Sequence, residues 1–141
     1  MFSIIDNIYA SKGLYQELLS PICKKYDLTD SEIVILLFLA SKPDGDTATD
    51  IVLRQRLKKS VVSVSLKDLQ DRGLITSSYL DGNRRSLHLD ITDKAKDIVL
   101  EARKVQEEYY KILTEGLSSK EKTNLRNYLE VVNDNIKRYR K

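Results

Sequence analysis

The feature that most constrains the fold is a double change of hydrophobic period between residues 57 and 92. Residues 57–73 have apolar side chains at helical spacing and end at Gly73, a residue type that adopts the left-handed conformation in which many helices end. Residues 74–80 and 86–92 then alternate between apolar and polar side chains. Between them Asp81, Gly82 and Asn83 tolerate the positive φ of a tight turn. A helix followed directly by an antiparallel β-hairpin is predicted.

Helices are predicted on both sides of this segment. Apolar residues at three- and four-residue steps indicate helices over residues 3–26, 30–42 and 93–115. Three helix starts have a Ser or Thr followed three residues later by an acidic residue, whose side chains together accept hydrogen bonds from the unpaired amides of the first turn. The pairs are Thr29 and Glu32, Thr47 and Asp50, and Ser118 and Glu121. The predicted order is therefore three helices, a fourth helix, a hairpin and two long helices.

Composition restricts the class of protein. The chain has 141 residues, 32% of them charged and 41% hydrophobic, which suits a single domain over residues 1–141. No apolar run reaches the roughly 18 residues of a membrane span, and Asp6 and Asn7 interrupt the apolar N-terminal stretch that a signal peptide would need. A soluble, cytoplasmic protein without membrane contact is expected.

The residues that usually carry chemistry are sparse. One cysteine and one histidine provide neither a disulfide framework nor a zinc site, so no metal and no cofactor are expected. No serine or cysteine has an identifiable base, and no glycine-rich phosphate loop is present. The protein is therefore predicted not to be an enzyme.

Basic residues are concentrated in one part of the chain. Residues 54–85 contain eight basic and three acidic residues, a charge of +5, which leaves −2 for the remainder because the total is +3. Such a block is typical of a surface that contacts nucleic acid, although a solvated helix face gives the same count.

Three segments resemble the MarR family of winged helix-turn-helix transcriptional regulators. They are "LTDSEIVILLFLA" in the second helix, "TDIVLRQRLKKSVVSVSLKDLQDRGLI" in the helix-turn-helix, and "DGNRRSLHLDIT" in the hairpin, or wing. The resemblance covers nearly the whole chain. It implies a mainly α fold with a small antiparallel β-hairpin wing, in which residues 29–92 form the winged helix-turn-helix DNA-binding lobe. Residues 1–28 and 93–141 then form a helical dimerisation region, and a small-molecule effector binds between the two.

The chain departs from the family pattern at three places. Arg56 lies in the turn where the family usually has a small residue or glycine, and Ser60 comes two residues after the expected cap. Asn83 stands where the arginine of the Asp-x-Arg wing motif falls, so Arg84 or Arg85 takes the role at the tip. Val64 stands where a polar or charged residue is usual.

The fourth helix is predicted to enter the major groove, with the wing over the phosphates or in the adjacent minor groove. Its Val62, Leu66 and Leu69 are expected in the core. The predicted DNA-contacting residues are Arg54, Lys59, Ser60, Val61, Ser63, Val64, Lys67, Arg84 and Arg85.

Alternative interpretations exist for several of these residues. The valines would otherwise pack on a partner helix, and the two arginines would be ordinary solubilising charge. Arg54 would pair with Asp50 within its own helix. Asp81 is expected to orient one of the tip arginines.

The long first, fifth and sixth helices carry more apolar surface than a small winged lobe covers. Since a reader of palindromic DNA is two-fold symmetric, a homodimer joined through both chain ends is predicted; the alternative is a monomer that folds its arms back. The predicted function is a sequence-specific, ligand-responsive repressor. Two other functions remain open, an architectural DNA-binding protein and a protein-interaction module with a degenerate wing.

Two further residues bear on chemistry. His88 is predicted to be an exposed strand residue near the DNA-facing side. Cys23 lies beside Lys24 and Lys25, which would lower the pKa of a peroxide-sensing thiol, but a buried inert cysteine is the commoner case.

Overall fold

The computed structural model describes residues 3–80 and 82–140. Within these residues the chain forms six α-helices, one β-hairpin and a short 3-10 turn. They are α1 (Ile4–Tyr26), α2 (Asp30–Ala40), α3 (Ala48–Gln55), α4 (Lys59–Asp71), β1 (Ile75–Leu80), β2 (Asn83–Ile91), the turn Asp93–Ala95, α5 (Lys96–Leu113) and α6 (Ser119–Tyr139). The predicted fold class, mainly helical with a small antiparallel hairpin, is confirmed.

The chain divides into two compact units at residue 107. The first unit contains α1 to α4, the hairpin and most of α5; the second contains the end of α5 and all of α6. The core of the first unit is centred on α2, whose Ile33, Ile35, Leu36 and Leu39 are at most 1% exposed. Every neighbouring element contributes to this core, through Leu19, Ile51, Val62, Leu69, Ile75, Leu89 and Ile98.

The predicted helix starts are formed as capping boxes. The Glu32 amide donates to Thr29 Oγ1 at 3.1 Å, and the Thr29 amide donates to Glu32 Oε1 at 2.9 Å. The same reciprocal pair is present at Thr47 and at Ser118. These local hydrogen bonds satisfy amides that have no partner within the helix, so they fix where α2, α3 and α6 begin.

Some element ends differ from the prediction. The second helix was predicted to reach residue 42 but ends at Ala40, because Pro43 excludes the helical conformation from the residue before it and Lys42 adopts a φ of 54°. The second strand begins at Asn83, three residues earlier than predicted. The fifth helix was predicted to begin at residue 93, but a 3-10 turn comes first, and the Thr92 hydroxyl donates to the Gly73 carbonyl oxygen at 2.6 Å.

Glu32 is also an ionisable group inside the core, with 4% exposure. Its Oε2 atom is buried and has no hydrogen-bond donor among the described residues. Burial, and then a hydrogen bond with the Asp68 carboxyl, raise the pKa of Glu32. The pKa of Asp68 is lowered by that hydrogen bond and by Arg72. Of the two carboxyl groups, Glu32 therefore binds a proton more readily than Asp68.

Glu32→Gln is expected to stabilise the fold at pH 8 by about 1 kcal/mol. The glutamine amide donates a hydrogen bond to Asp68 at any pH, whereas the Glu32 carboxyl donates only after it has bound a proton. Because folding raises the pKa of Glu32, this residue favours the fold most below its ordinary pKa, and the benefit is lost as the pH rises through the higher folded value. Urea unfolding at pH 5.5 and pH 8 should show the variant gaining mainly at pH 8.

Glu121→Gln is the matched control, because Glu121 occupies the same capping-box position at an exposed helix start. There a backbone hydrogen bond from Ser118 lowers the pKa of the carboxyl, so loss of the charge should not stabilise. A Glu32→Gln variant less stable than the wild type at pH 8 would contradict a raised pKa of Glu32 in the folded protein.

Candidate nucleic-acid interface

The helix α4 has two distinct faces. Val62, Ser65 and Leu69 are buried, Leu66 is half-buried, and Val61 is half-buried at the margin. The opposite face is exposed and carries Lys59, Ser60, Ser63, Val64 and Lys67. Val64 is 71% exposed, so this face combines apolar, hydroxyl and cationic groups that no other part of the described chain covers.

The start of α4 differs from the other helix starts. Its N-cap is Lys58, which makes no side-chain hydrogen bond to the first turn, and Ser60 lies inside the helix. Arg56 takes the left-handed conformation, with φ 56°, at the position where the family usually has a small residue. The first amides of α4 therefore have no side-chain cap and lie next to lysines, an arrangement that suits a phosphate oxygen.

A groove of about 510 Å³ separates α3 from α4. It is lined mainly by Thr49, Val52, Leu53, Lys59, Ser63, Leu66, Lys67 and Gln70. Leu53 is 70% exposed and was not among the predicted site residues. A signal for this residue is present in the sequence. Leu53 is apolar and comes two positions after Ile51, which is buried, so Leu53 lies on the opposite side of α3.

Arg54 is engaged within the protein. Its guanidinium lies 2.7 Å from Asp44 and 5.2 Å from the centre of the Phe38 ring, and it holds the pKa of Asp44 below the usual range. The alternative interpretation, a pair with Asp50, was wrong, since Asp50 caps Thr47. Because the Arg54–Asp44 pair is largely exposed, it contributes little to stability, and the guanidinium remains accessible for a phosphate.

The wing is a two-stranded antiparallel sheet with a bulge between Tyr79 and Leu80, where Leu80 pairs with Asn83. Because β2 starts at Asn83, both arginines lie on the strand and not in the turn as predicted. Arg84 and Arg85 are both exposed and lie in this bulge, between Asn83 and Leu87, which pairs with Tyr79. Asp81, the predicted partner of one arginine, lies outside the described residues.

The base of the wing is fixed to α4. Ile75 and Leu89 are buried in the core, and Gln70 Nε2 donates to Ser77 Oγ at 2.6 Å. Arg72, one of the eight basic residues in residues 54–85, donates to the Asp27 carbonyl oxygen at 2.7 Å. Arg72 thus joins α1 to the end of α4 and is structural, whereas Arg84 and Arg85 at the other end of the wing are exposed.

His88 lies on a strand, as predicted, but the prediction that it is exposed was wrong. The side chain is 26% exposed, and its Nδ1 lies 2.6 Å from Asp46 Oδ1. The contact spans 42 residues of sequence and joins the wing to the connection between α2 and α3.

The environment of Cys23 disfavours a reactive thiolate. Its Sγ donates to Asp30 Oδ1 at 3.2 Å. Burial and this hydrogen bond raise the pKa of the thiol to about 11. Lys25, which the sequence suggested as an activator of the thiol, pairs with Glu101 at 2.9 Å. A thiol with a raised pKa does not suit peroxide sensing, for which a low pKa is required.

Both units have uncovered apolar surface. At the start of α1, Ile4, Ile5, Ile8 and Tyr9 are each more than half exposed. On α6 of the second unit, the exposed residues are Tyr128, Leu129, Val131, Val132, Ile136 and Tyr139. Leu129, Val132 and Ile136 recur with Leu125 at four- and three-residue steps and form a stripe along α6, from which Val131 is rotated by about 100°. Such a continuous stripe is unusual on a surface that stays in water.

Membrane spans and metal sites are both absent from residues 3–80 and 82–140. None of the helices there is both long enough and apolar enough to cross a membrane. In the same residues, no group of three or more His, Cys, Asp or Glu side chains has an arrangement that would hold a metal ion.

Comparison with known proteins shows a similarity to one family of transcriptional regulators. Residues 26–86 match the model of the MarR family. Over 137 residues the chain is 28% identical to the HTH-type transcriptional regulator TcaR of Staphylococcus aureus (strain Newman), a match that spans 96% of this chain and 87% of TcaR. The chain is thus similar to MarR-family transcriptional regulators.

Solved structures of MarR proteins share its fold. A MarR-family structure from Listeria monocytogenes, complexed with a 26mer DNA, has a TM-score of 0.85 at 20% identity and covers 96% of this chain and 90% of that chain. The S. aureus MepR–DNA complex has a TM-score of 0.79 at 18% identity, covering 96% and 99%. At these identities, the likeness shows the winged helix-turn-helix fold.

Proposed function

We propose that this protein is a MarR-family transcriptional regulator, a homodimer that binds double-stranded DNA in a sequence-specific manner. Residues 29–92 form the DNA-binding lobe, and residues 1–28 and 93–141 form the dimerisation region. The observation that carries the proposal is the exposed face of α4, where Val64 lies between hydroxyl and lysine side chains opposite a fully buried face.

The chemistry of this face suits the major groove. Valine methyl groups contact thymine methyl groups, and the hydroxyls of Ser60 and Ser63 bond to phosphates or base edges. Lys59, Lys67 and Arg54 bind phosphates, and Arg84 or Arg85 enters the minor groove. The similar structures from Listeria monocytogenes and S. aureus that contain DNA support this assignment.

Two-fold symmetry accounts for the uncovered apolar surface. A homodimer that buries the start of α1 and the stripe on α6 presents two copies of α4 to a palindromic operator. In this proposal the protein is a repressor, and a small-molecule effector changes DNA affinity by altering the spacing of the two α4 helices.

Base selection from a random DNA library tests the assignment of α4. Val64→Ala and Ser63→Ala should each change the preferred bases at a few positions, by about 1–3 kcal/mol at each base pair that the side chain reads. The control is Val131→Ala, since Val131 is 59% exposed on α6 and the chemical change is identical. Recovery of one and the same motif from both α4 variants and the wild type would show that these side chains do not read bases.

An architectural DNA-binding protein is the second candidate, because Val64 makes no hydrogen bonds and would contact many sequences equally well. Competition distinguishes the two functions. A sequence-specific regulator resists competition by random duplex, whereas an architectural protein is displaced nearly as well by random duplex as by its selected sequence.

A further inference from the structure

The connection between α2 and α3 (residues 41–47) contacts β2 of the wing in three ways. His88 Nδ1 lies 2.6 Å from Asp46 Oδ1, and the Leu89 amide donates to the Asp46 carbonyl oxygen at 3.2 Å. Two residues further along β2, Asp90 pairs with Lys42 at 2.6 Å. Residues 88 and 90 share a face of the strand, so this whole face is tied to the connection.

The same connection also contacts α3, where Arg54 donates to Asp44 at 2.7 Å. It therefore lies between two parts of the proposed DNA surface, Arg54 and the wing. Arg84 is four residues before His88 on β2, within the bulge that follows the regular pair of Tyr79 with Leu87. A change in the angle of β2 at His88 thus moves the arginine at the tip.

We propose that His88 and Asp46 position the wing for DNA, and that the charge on His88 controls how firmly they hold it. The inference rests on the proposed DNA-binding function and adds a proton-dependent contact to it. In this role His88 is a positioning residue, which acts through the location of Arg84 and Arg85.

The strength of the contact between His88 and Asp46 depends on whether the imidazole is neutral or charged. A neutral imidazole donates from Nδ1 to the carboxylate, and an imidazolium adds the attraction of an ion pair to the same hydrogen bond. Histidine side chains change charge within the range of about pH 5–8. The charged groups around His88 are Asp46, Asp44 and Lys42 from the connection and Asp90 from its own strand, whereas β1 contributes only the hydroxyls of Thr76 and Ser78.

The test is the binding of a fluorescent mixed-sequence duplex of about 30 base pairs, long enough for two half-sites, at pH 6 and pH 8 and constant salt. The wild type should bind about fivefold more tightly at pH 6. His88→Asn keeps a donor near the position of Nδ1 but does not titrate, so it should match the wild type at pH 8 and lack most of the gain at pH 6. His88→Phe, which has no donor, should bind about fivefold more weakly than the wild type at pH 8.

Asp46→Asn separates positioning from a direct contact between His88 and DNA. This variant keeps an acceptor for Nδ1 but has no charge, so the gain at pH 6 should disappear although the histidine remains. Persistence of the gain in Asp46→Asn, or binding by His88→Phe equal to the wild type at both pH values, would overturn the proposal. All variants are first checked for folding by circular dichroism.

A measurement without DNA distinguishes failure of this inference from failure of the proposed function. In the free protein, amide hydrogen exchange across β2 should be faster in His88→Phe than in His88→Asn. If the wild type binds no duplex, the proposed DNA-binding function is wrong. Equal exchange rates in His88→Phe and His88→Asn would show, independently of DNA, that His88 does not hold the wing in place.

Discussion

Val132→Asp in the full-length chain is expected to convert the protein from a dimer to a monomer. Val132 is 51% exposed on α6 and belongs to the stripe with Leu125, Leu129 and Ile136, which recurs at four- and three-residue steps. A carboxylate buried in an apolar interface without a partner costs several kcal/mol, and two-fold symmetry introduces it twice. The dimer dissociation constant should therefore rise by at least about 100-fold.

The neighbouring Val131 provides a matched control. It is 59% exposed on the same helix, but a step of one residue rotates it about 100° away from Val132 and off the stripe. Val131→Asp should therefore remain dimeric in sedimentation and light-scattering measurements. Truncation after Gly116, which removes α6, should give monomer or aggregate. A well-behaved dimer from the truncated chain, or equal effects of the two aspartates, would contradict an interface built on α6.

Removal of the wing arginines is expected to produce the second large effect. Arg84→Ala or Arg85→Ala should weaken binding to specific and random duplexes alike, since minor-groove and phosphate interactions depend on DNA charge and groove width. The logarithm of the DNA-binding constant decreases with the logarithm of the salt concentration, and the magnitude of this slope should fall by about one unit for each arginine that no longer contacts DNA. A dimer carries every substitution twice.

Arg138→Ala is the control for this experiment, because it removes one exposed cation from α6 outside the proposed DNA-binding lobe. Its salt slope should equal that of the wild type, as should that of Val64→Ala. If both folded wing variants keep the affinity and the slope of the wild type, Arg84 and Arg85 are solubilising charges and the wing only covers the core.

Most of the fold was predictable because its signals are local. A capping box spans four residues, and Gly73 ends its helix by taking a φ of 71°, so both can be identified from neighbouring residues. The end of α2 was misjudged because apolar periodicity was given more weight than Pro43. The start of β2 was misjudged because Asn83 favours a turn by composition, yet it pairs with Leu80 of β1 across the bulge.

The candidate site was predictable only in part. Periodicity separated the buried Val62 and Leu69 from the exposed Val64, since both faces belong to one helix. The contacts of His88 with Asp46 and of Arg54 with Asp44 join residues 42 and 10 positions apart, and they depend on the path of the α2–α3 connection. No periodic pattern encodes such a path, so these two contacts required the structure.

The most direct test of the DNA-binding face is amide hydrogen exchange of the wild-type dimer with and without its selected duplex. We expect protection in the first two turns of α4 and in β2 near Arg84 and Arg85, with little change on α6, which would already be buried in the free dimer. Protection confined to α6 or α1, with α4 and the wing unchanged by DNA, would contradict the account.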